Sequence, residues 1–207
     1  MRRLKLTTIL CFAVLLASVW SANAQSLLDL LKASAPPTQE AKPVVEKINK
    51  DALIGVWNYS GVAVEFTGTD LVAVLGSSVA APTIKQNLDT YFAEAGILRG
   101  SCSVEFSSKD TYIVLTARGR AVGLYEFNHP SQTMNITYDD PAVGGRSSLV
   151  GKLTFAGSRL SLTFEADKIV ALIKEATKDR QLDQNIHDLL TLISDYKGLY
   201  LGVELEK

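Results

Sequence analysis

The residues able to do chemistry in this chain are few and widely spaced. Its two histidines are His129, in a turn before Pro130, and His187, on the polar side of a helical stretch. Neither has a Glu, Asp or His neighbour at the spacing a zinc site uses. No nucleophile-elbow pattern marks a serine, so a triad has no local support. Asp139 and Asp140 stand side by side in YDDPAVGGRSS. A loop with alternating oxygen ligands would favour calcium, but the spacing is absent, and the following Pro and Gly-Gly explain the pair as turn formers. Gly144–Ser148 resembles an anion loop but precedes a strand, so no helix N-terminus is available for the anion. Cys102 lies on the apolar face of its segment, the setting of a buried inert thiol rather than a nucleophile. No cofactor, no metal and no catalysis are expected from these residues.

What remains is binding chemistry. Trp57 and Tyr59 share a face in LIGVWNY, and Cys102, Val104 and Phe106 share one in CSVEF. Aromatics with a polar handle can floor and wall a cavity for a small apolar or amphipathic ligand. The same five side chains can equally fill a small barrel. Tyr112, Tyr125 and Tyr138 recur on successive segments. Ile113 and Leu115 compete with the first for an inner face, and Leu124 competes with the second, so alternation leaves their direction open.

The elements that must position these residues begin after an N-terminal leader. Arg2, Arg3 and Lys5 precede an apolar run, and Ala22 and Ala24 occupy the positions a signal peptidase reads, which predicts a signal peptide over residues 1–24. The run is short for a bilayer-spanning helix of about 20 residues. No membrane span is expected in the mature chain, which is expected to be periplasmic or secreted. Cys11 falls in the leader, leaving Cys102 without a disulfide partner, so a packed core must supply stability. The leader carries three positive charges and no negative ones. Its removal takes the formal net charge from −1 to −4, and that mild acidity argues against nucleic acid as a partner.

Residues 25–51 contain a short leucine-rich helical pattern followed by Pro36, Pro37 and Pro43, and read as a tether. From residue 52 a single domain is expected. Leu53–Phe66 alternates, and the apolar parity shifts from Trp57 and Tyr59 to Val62, Val64 and Phe66 across Ser60–Gly61, the mark of a β-bulge. A helical insertion follows near 70–97, with Thr83 as a candidate N-cap after Pro82 and Gly96 as its stop. Six short strands come next: Cys102–Phe106, Thr111–Ala117, Ala121–Phe127, Thr133–Tyr138, Ser148–Phe155 and Arg159–Phe164. A second helical insertion near 166–196, with Asp167 as a possible cap, leads to a closing strand Leu199–Glu206. Eight antiparallel strands close naturally into a barrel.

ALIGVWNYSGVAVEF, LDTYFAEAGI, FEADKIVALIK and DYKGLYLGVELEK, in that order, resemble a secreted lipocalin-like family of unknown function common in gut bacteria of the Bacteroides type. The likeness spans about Asp51–Lys207. It implies an antiparallel eight-stranded lipocalin-like (calycin-type) β-barrel. Gly55-x-Trp57 is similar to the first-strand motif of lipocalins, whose Trp packs across the closed end beneath a late-strand arginine; Arg159 is the nearest candidate for that arginine. The expected function is non-catalytic binding of a small ligand in the barrel. The alternative is an envelope interaction module with a filled barrel and a protein partner.

Overall fold

A computed structural model describes residues 47–67, 71–94, 96–140, 144–177, 190–191, 193–194 and 196–207. The signal peptide, most of the tether, His187 and the middle of the second helical insertion lie outside the described residues. The elements are α1 (Lys50–Leu53), β1 (Gly55–Phe66), α2 (Leu71–Glu94), β2 (Ser103–Phe106), β3 (Thr111–Thr116), β4 (Gly119–Asn128), β5 (Thr133–Asp140), β6 (Gly145–Ala156), β7 (Arg159–Glu165), α3 (Ala166–Thr177) and β8 (Leu199–Glu206). Leu190, Thr191, Ile193 and Ser194 are also helical.

The eight strands form one closed barrel in sequence order, each antiparallel to its neighbours, with β8 returning to β1. The expected barrel is present. The parity shift at Ser60–Gly61 is a register shift against β8: Tyr59 faces Leu205, Gly61 faces Glu204, and Ser60 is the extra residue. Beyond that bulge Val62, Val64 and Phe66 turn to the core. β2 pairs with only Gly55–Asn58, and α2 packs against β1, with Ile84, Leu88 and Phe92 buried. α2 thus supplies apolar cover that the short β2 cannot.

Two local expectations are corrected. Helix α2 does not begin at Thr83. It begins at Leu71 and runs through Pro82, where the ring removes one intrahelical hydrogen bond without ending the helix. Asp167 lies in the first turn of α3 rather than at its cap, where its charge still complements the helix dipole.

Alternation alone left the tyrosines undirected, and the register resolves them. Tyr112, Tyr125 and Tyr138 are all buried, while Leu115 and Leu124 are 45% and 41% exposed. Tyr112 lies over Gly123, its partner on β4, where a Cβ would meet the Tyr112 hydroxyl at 2.5 Å. Glycine is needed there to seat the ring. Strands β3 and β4 are therefore aromatic within and aliphatic without.

No helix among the described residues is long and apolar enough to cross a membrane.

Candidate functional site: a sealed end and an orphaned hydroxyl

One end of the barrel is sealed by the segment before β1. Asn49 caps α1 by accepting from the Ala52 amide at 2.8 Å, which turns the chain tightly enough to insert Leu53. Leu53 and Ile48 are buried. Gln132, at the β4–β5 turn, binds both backbone groups of Ile48: its Oε1 accepts from the amide at 3.0 Å and its Nε2 donates to the carbonyl at 3.1 Å. Lys50 pairs with Asp110 of the β2–β3 turn. Residues 47–51, assigned to the tether from sequence, are thus packed on the barrel.

Trp57 stands directly above this plug. Its Nε1–H donates to the Leu53 carbonyl at 2.7 Å, and its ring meets Phe155 edge-on at 6.2 Å. Lys207, just past β8, holds its ammonium 4.6 Å from the indole centroid and donates to the carbonyls of Ala52 and Ile54 at 2.8 and 3.0 Å. The cation over the closed-end tryptophan is Lys207, not Arg159. Arg159 instead lines a polar hollow of about 540 Å³ outside the barrel, with Asn58, Ser60, Arg99 and Glu204. The reach of a lysine beyond the last strand is a tertiary relationship that strand composition does not encode.

The other residues singled out from sequence lie along the same wall. Val104 faces Trp57 across the β1–β2 ladder, and Phe106 faces Gly55 and stacks edge-on against Tyr125 at 5.2 Å. The Tyr125 hydroxyl donates to the Ser107 carbonyl at 2.7 Å. Tyr59 packs on Phe92 and donates to Asp89 Oδ1 at 3.3 Å. Burial, then the Asp89 charge, pushes its phenol well above the ordinary tyrosine value. The Cys102 thiol donates to the Gly96 carbonyl at 3.4 Å and is buried. The five residues do come together, and each is engaged by packing: two by the plug end, two by α2 and its following turn, and Val104 between.

Asp139 and Asp140 end β5 rather than forming a free turn. Asp139 pairs with Arg146 at 3.4 Å, and Asp140 accepts from Ser147 at 2.6 Å, so both carboxylates bind the neighbouring strand β6. His129 lies in the turn at the sealed end with its ring edge-on to Phe127 at 6.4 Å.

Tyr138, which alternation brings forward only as one of three recurring tyrosines, differs from the other two at its hydroxyl. Four buried side-chain oxygens among the described residues have no hydrogen-bond partner: Ser60 Oγ, Asn135 Oδ1, Tyr138 Oη and Thr163 Oγ1. Ser60 sits in the bulge, and Asn135 and Thr163 alternate with inward neighbours, so they belong to the outer parity. Only Tyr138 belongs to the inward series of Met134, Ile136 and Leu149. It lies six residues along β5 from Gln132, about 20 Å from the plug at strand rise. Burial, and next the charge of Asp140, raise its phenol above the ordinary value, so the hydroxyl remains a donor. A buried donor with no acceptor costs about 1–3 kcal/mol and calls for an explanation.

The profile of a family described as "Lipocalin-like domain (DUF4923)" matches residues 28–207. No curated protein matches the chain. Among solved structures, a DUF4847 family protein from Bacteroides vulgatus ATCC 8482 is similar at 10% identity, over 74% of this chain and 92% of that one, with a TM-score of 0.37.

Proposed function

We propose that this protein, which belongs to the lipocalin-like DUF4923 family, is a non-catalytic binding protein that holds a small, largely apolar molecule in the half of the barrel remote from its plug. The observation that carries this reading is the Tyr138 hydroxyl, buried among apolar side chains and without a partner. The raised phenol keeps its proton, so the ligand presents an acceptor. The neighbouring Asp140 charge disfavours an anion there, so that acceptor is a neutral one, such as a carbonyl, ester or hydroxyl oxygen. Trp57 and Phe106 form the floor of this reading rather than its walls. Tyr59, Cys102 and Val104 stand between floor and ligand.

Export belongs to the same proposal. The leader pattern of residues 1–24 supports a periplasmic or secreted carrier cut after Ala24.

The test is native mass spectrometry of the chain purified from its own host without denaturation, followed by titration with long-chain alcohols, esters and aromatic ketones. We expect a co-purifying neutral molecule released on unfolding, and a loss of affinity of about threefold to tenfold in Tyr138→Phe, the worth of one hydrogen bond. An apo mass together with no uptake from the panel overturns the reading, as does unchanged affinity in the variant.

A further inference from the structure

The outer face of strand β4 carries Arg120, Val122, Leu124 and Glu126 in succession, all exposed. Val122 is 43% and Leu124 41% exposed, and Leu115 on the adjoining strand β3 is 45% exposed beside Arg120. An antiparallel barrel ordinarily turns a polar face to water. Here Ile113 lies beside Val122, so two adjacent strands present a continuous aliphatic patch rather than scattered single residues. Neither Arg120 nor Glu126 forms an ion pair with a described residue. The patch therefore has a cation at one end and an anion at the other, about 20 Å apart at strand rise, with aliphatic side chains between.

We propose that this face docks on the same face of a second copy of this chain. The order of charges is the argument. A two-fold axis through the position of Gly123, midway between Arg120 and Glu126, lays the two β4 strands across each other in opposite directions. Arg120 of each copy then meets Glu126 of the other, and Val122 meets Leu124. An isologous interface requires this kind of self-complementarity, and a random arrangement of two charges and two aliphatics does not supply it. Because the barrel is closed, β4 has strand neighbours on both sides, and the copies meet face to face rather than by adding a strand. The proposal is independent of the barrel's ligand, since every residue it uses points away from the interior.

Analytical ultracentrifugation of the purified chain and of three charge variants tests it, with circular dichroism confirming that each barrel is folded. The wild type should sediment as a dimer at tens of micromolar, and 1 M salt should weaken the dimer. Arg120→Glu alone and Glu126→Arg alone each create two like-charge contacts and should be monomeric. In a mixture of those two variants both contacts again pair opposite charges. The introduced glutamate meets the introduced arginine, and the native Arg120 of one chain meets the native Glu126 of the other, so a heterodimer should form. Arg120→Glu/Glu126→Arg in one chain should restore the homodimer. A second route is Leu124→Lys, which should dissociate the wild-type dimer at least tenfold. A wild type that stays monomeric at 100 μM overturns the proposal and leaves the patch to a different protein. A dimer that persists in both single charge variants places the interface elsewhere and overturns it equally.

Discussion

Lys207 and Trp57 meet at the sealed end of the barrel, the ammonium 4.6 Å from the indole centroid although 150 residues of chain separate them. The same ammonium satisfies the carbonyls of Ala52 and Ile54, where α1 hands the chain to β1. One flexible side chain therefore joins the plug, the first strand and the last.

Lys207→Met keeps the aliphatic cover over Trp57 but removes the cation and both hydrogen bonds. It should lower unfolding free energy by about 1 kcal/mol, read as a shift in the guanidinium midpoint at unchanged slope. Lys207→Arg should keep the larger part of the stability. An unaltered midpoint in the methionine variant would show that the contact contributes nothing.

Gly202 and Gly145 make a matched pair. A Cβ on Gly202 would lie 1.9 Å from the Leu162 carbonyl oxygen, while one on Gly145 meets nothing within 4 Å. The first overlap is with backbone across the β7–β8 ladder, so no side-chain rotation relieves it. Gly202→Ala should destabilise by about 3 kcal/mol or more, and Gly145→Ala should stay within about 0.5 kcal/mol of the wild type. Thermal unfolding of the two variants side by side decides it.

Tyr59, Tyr125 and Tyr138 all have their phenols raised above the ordinary value, mainly by burial. A phenol raised on folding contributes stability that is complete below the unfolded value of about 10 and is lost as pH climbs toward the folded value. Stability should therefore fall steeply above pH 10. In absorbance titration at 295 nm these three rings should ionise at higher pH than free tyrosine, Tyr59 last. Tyr59→Phe should flatten the alkaline loss. If the native protein titrates all its tyrosines near pH 10, the burial assigned to these rings is wrong.

Cys102 is buried with its thiol turned to the Gly96 carbonyl, so a thiol reagent reaches it only through local opening. Peptide mapping after labelling should show modification at least about a hundredfold slower in native than in denaturant-unfolded protein. Equal rates would place this thiol at the surface.

The eight strands and the Ser60–Gly61 bulge were legible because side-chain parity is a local property, written directly into alternating residues. Legibility failed where both parities were apolar. On β3 and β4, Tyr112 and Tyr125 compete with Ile113, Leu115 and Leu124, and only the cross-strand register, with Gly123 making room for a ring, determines which set turns inward. Residues 47–51 read as tether and Leu53 as the start of the first strand, because the packing of Ile48 and Leu53 depends on Gln132, 84 residues on, and on the Trp57 indole closing over the turn. Trp57, Tyr59, Cys102, Val104 and Phe106 lie together because each shares a face with its neighbour on β1 or at β2, a relationship that alternation does encode. The Tyr138 hydroxyl could not be read this way, since lacking a partner is a property of surroundings and not of a residue type.

The seam between β1 and β8 gives the fold a temporal order. Gly61–Phe66, beyond the reach of β2, finds its ladder partners among Leu199–Glu204, and the plug's carbonyls wait on Lys207. Contacts between segments so distant in sequence carry a large loop-closure cost and slow the folding rate. The hairpins from β2 to β7 can zip locally, but the ring remains an open sheet with a bare β1 edge until the last strand docks. Slow, late closure makes that edge the point at which a folding chain is most exposed to pairing with the wrong strand.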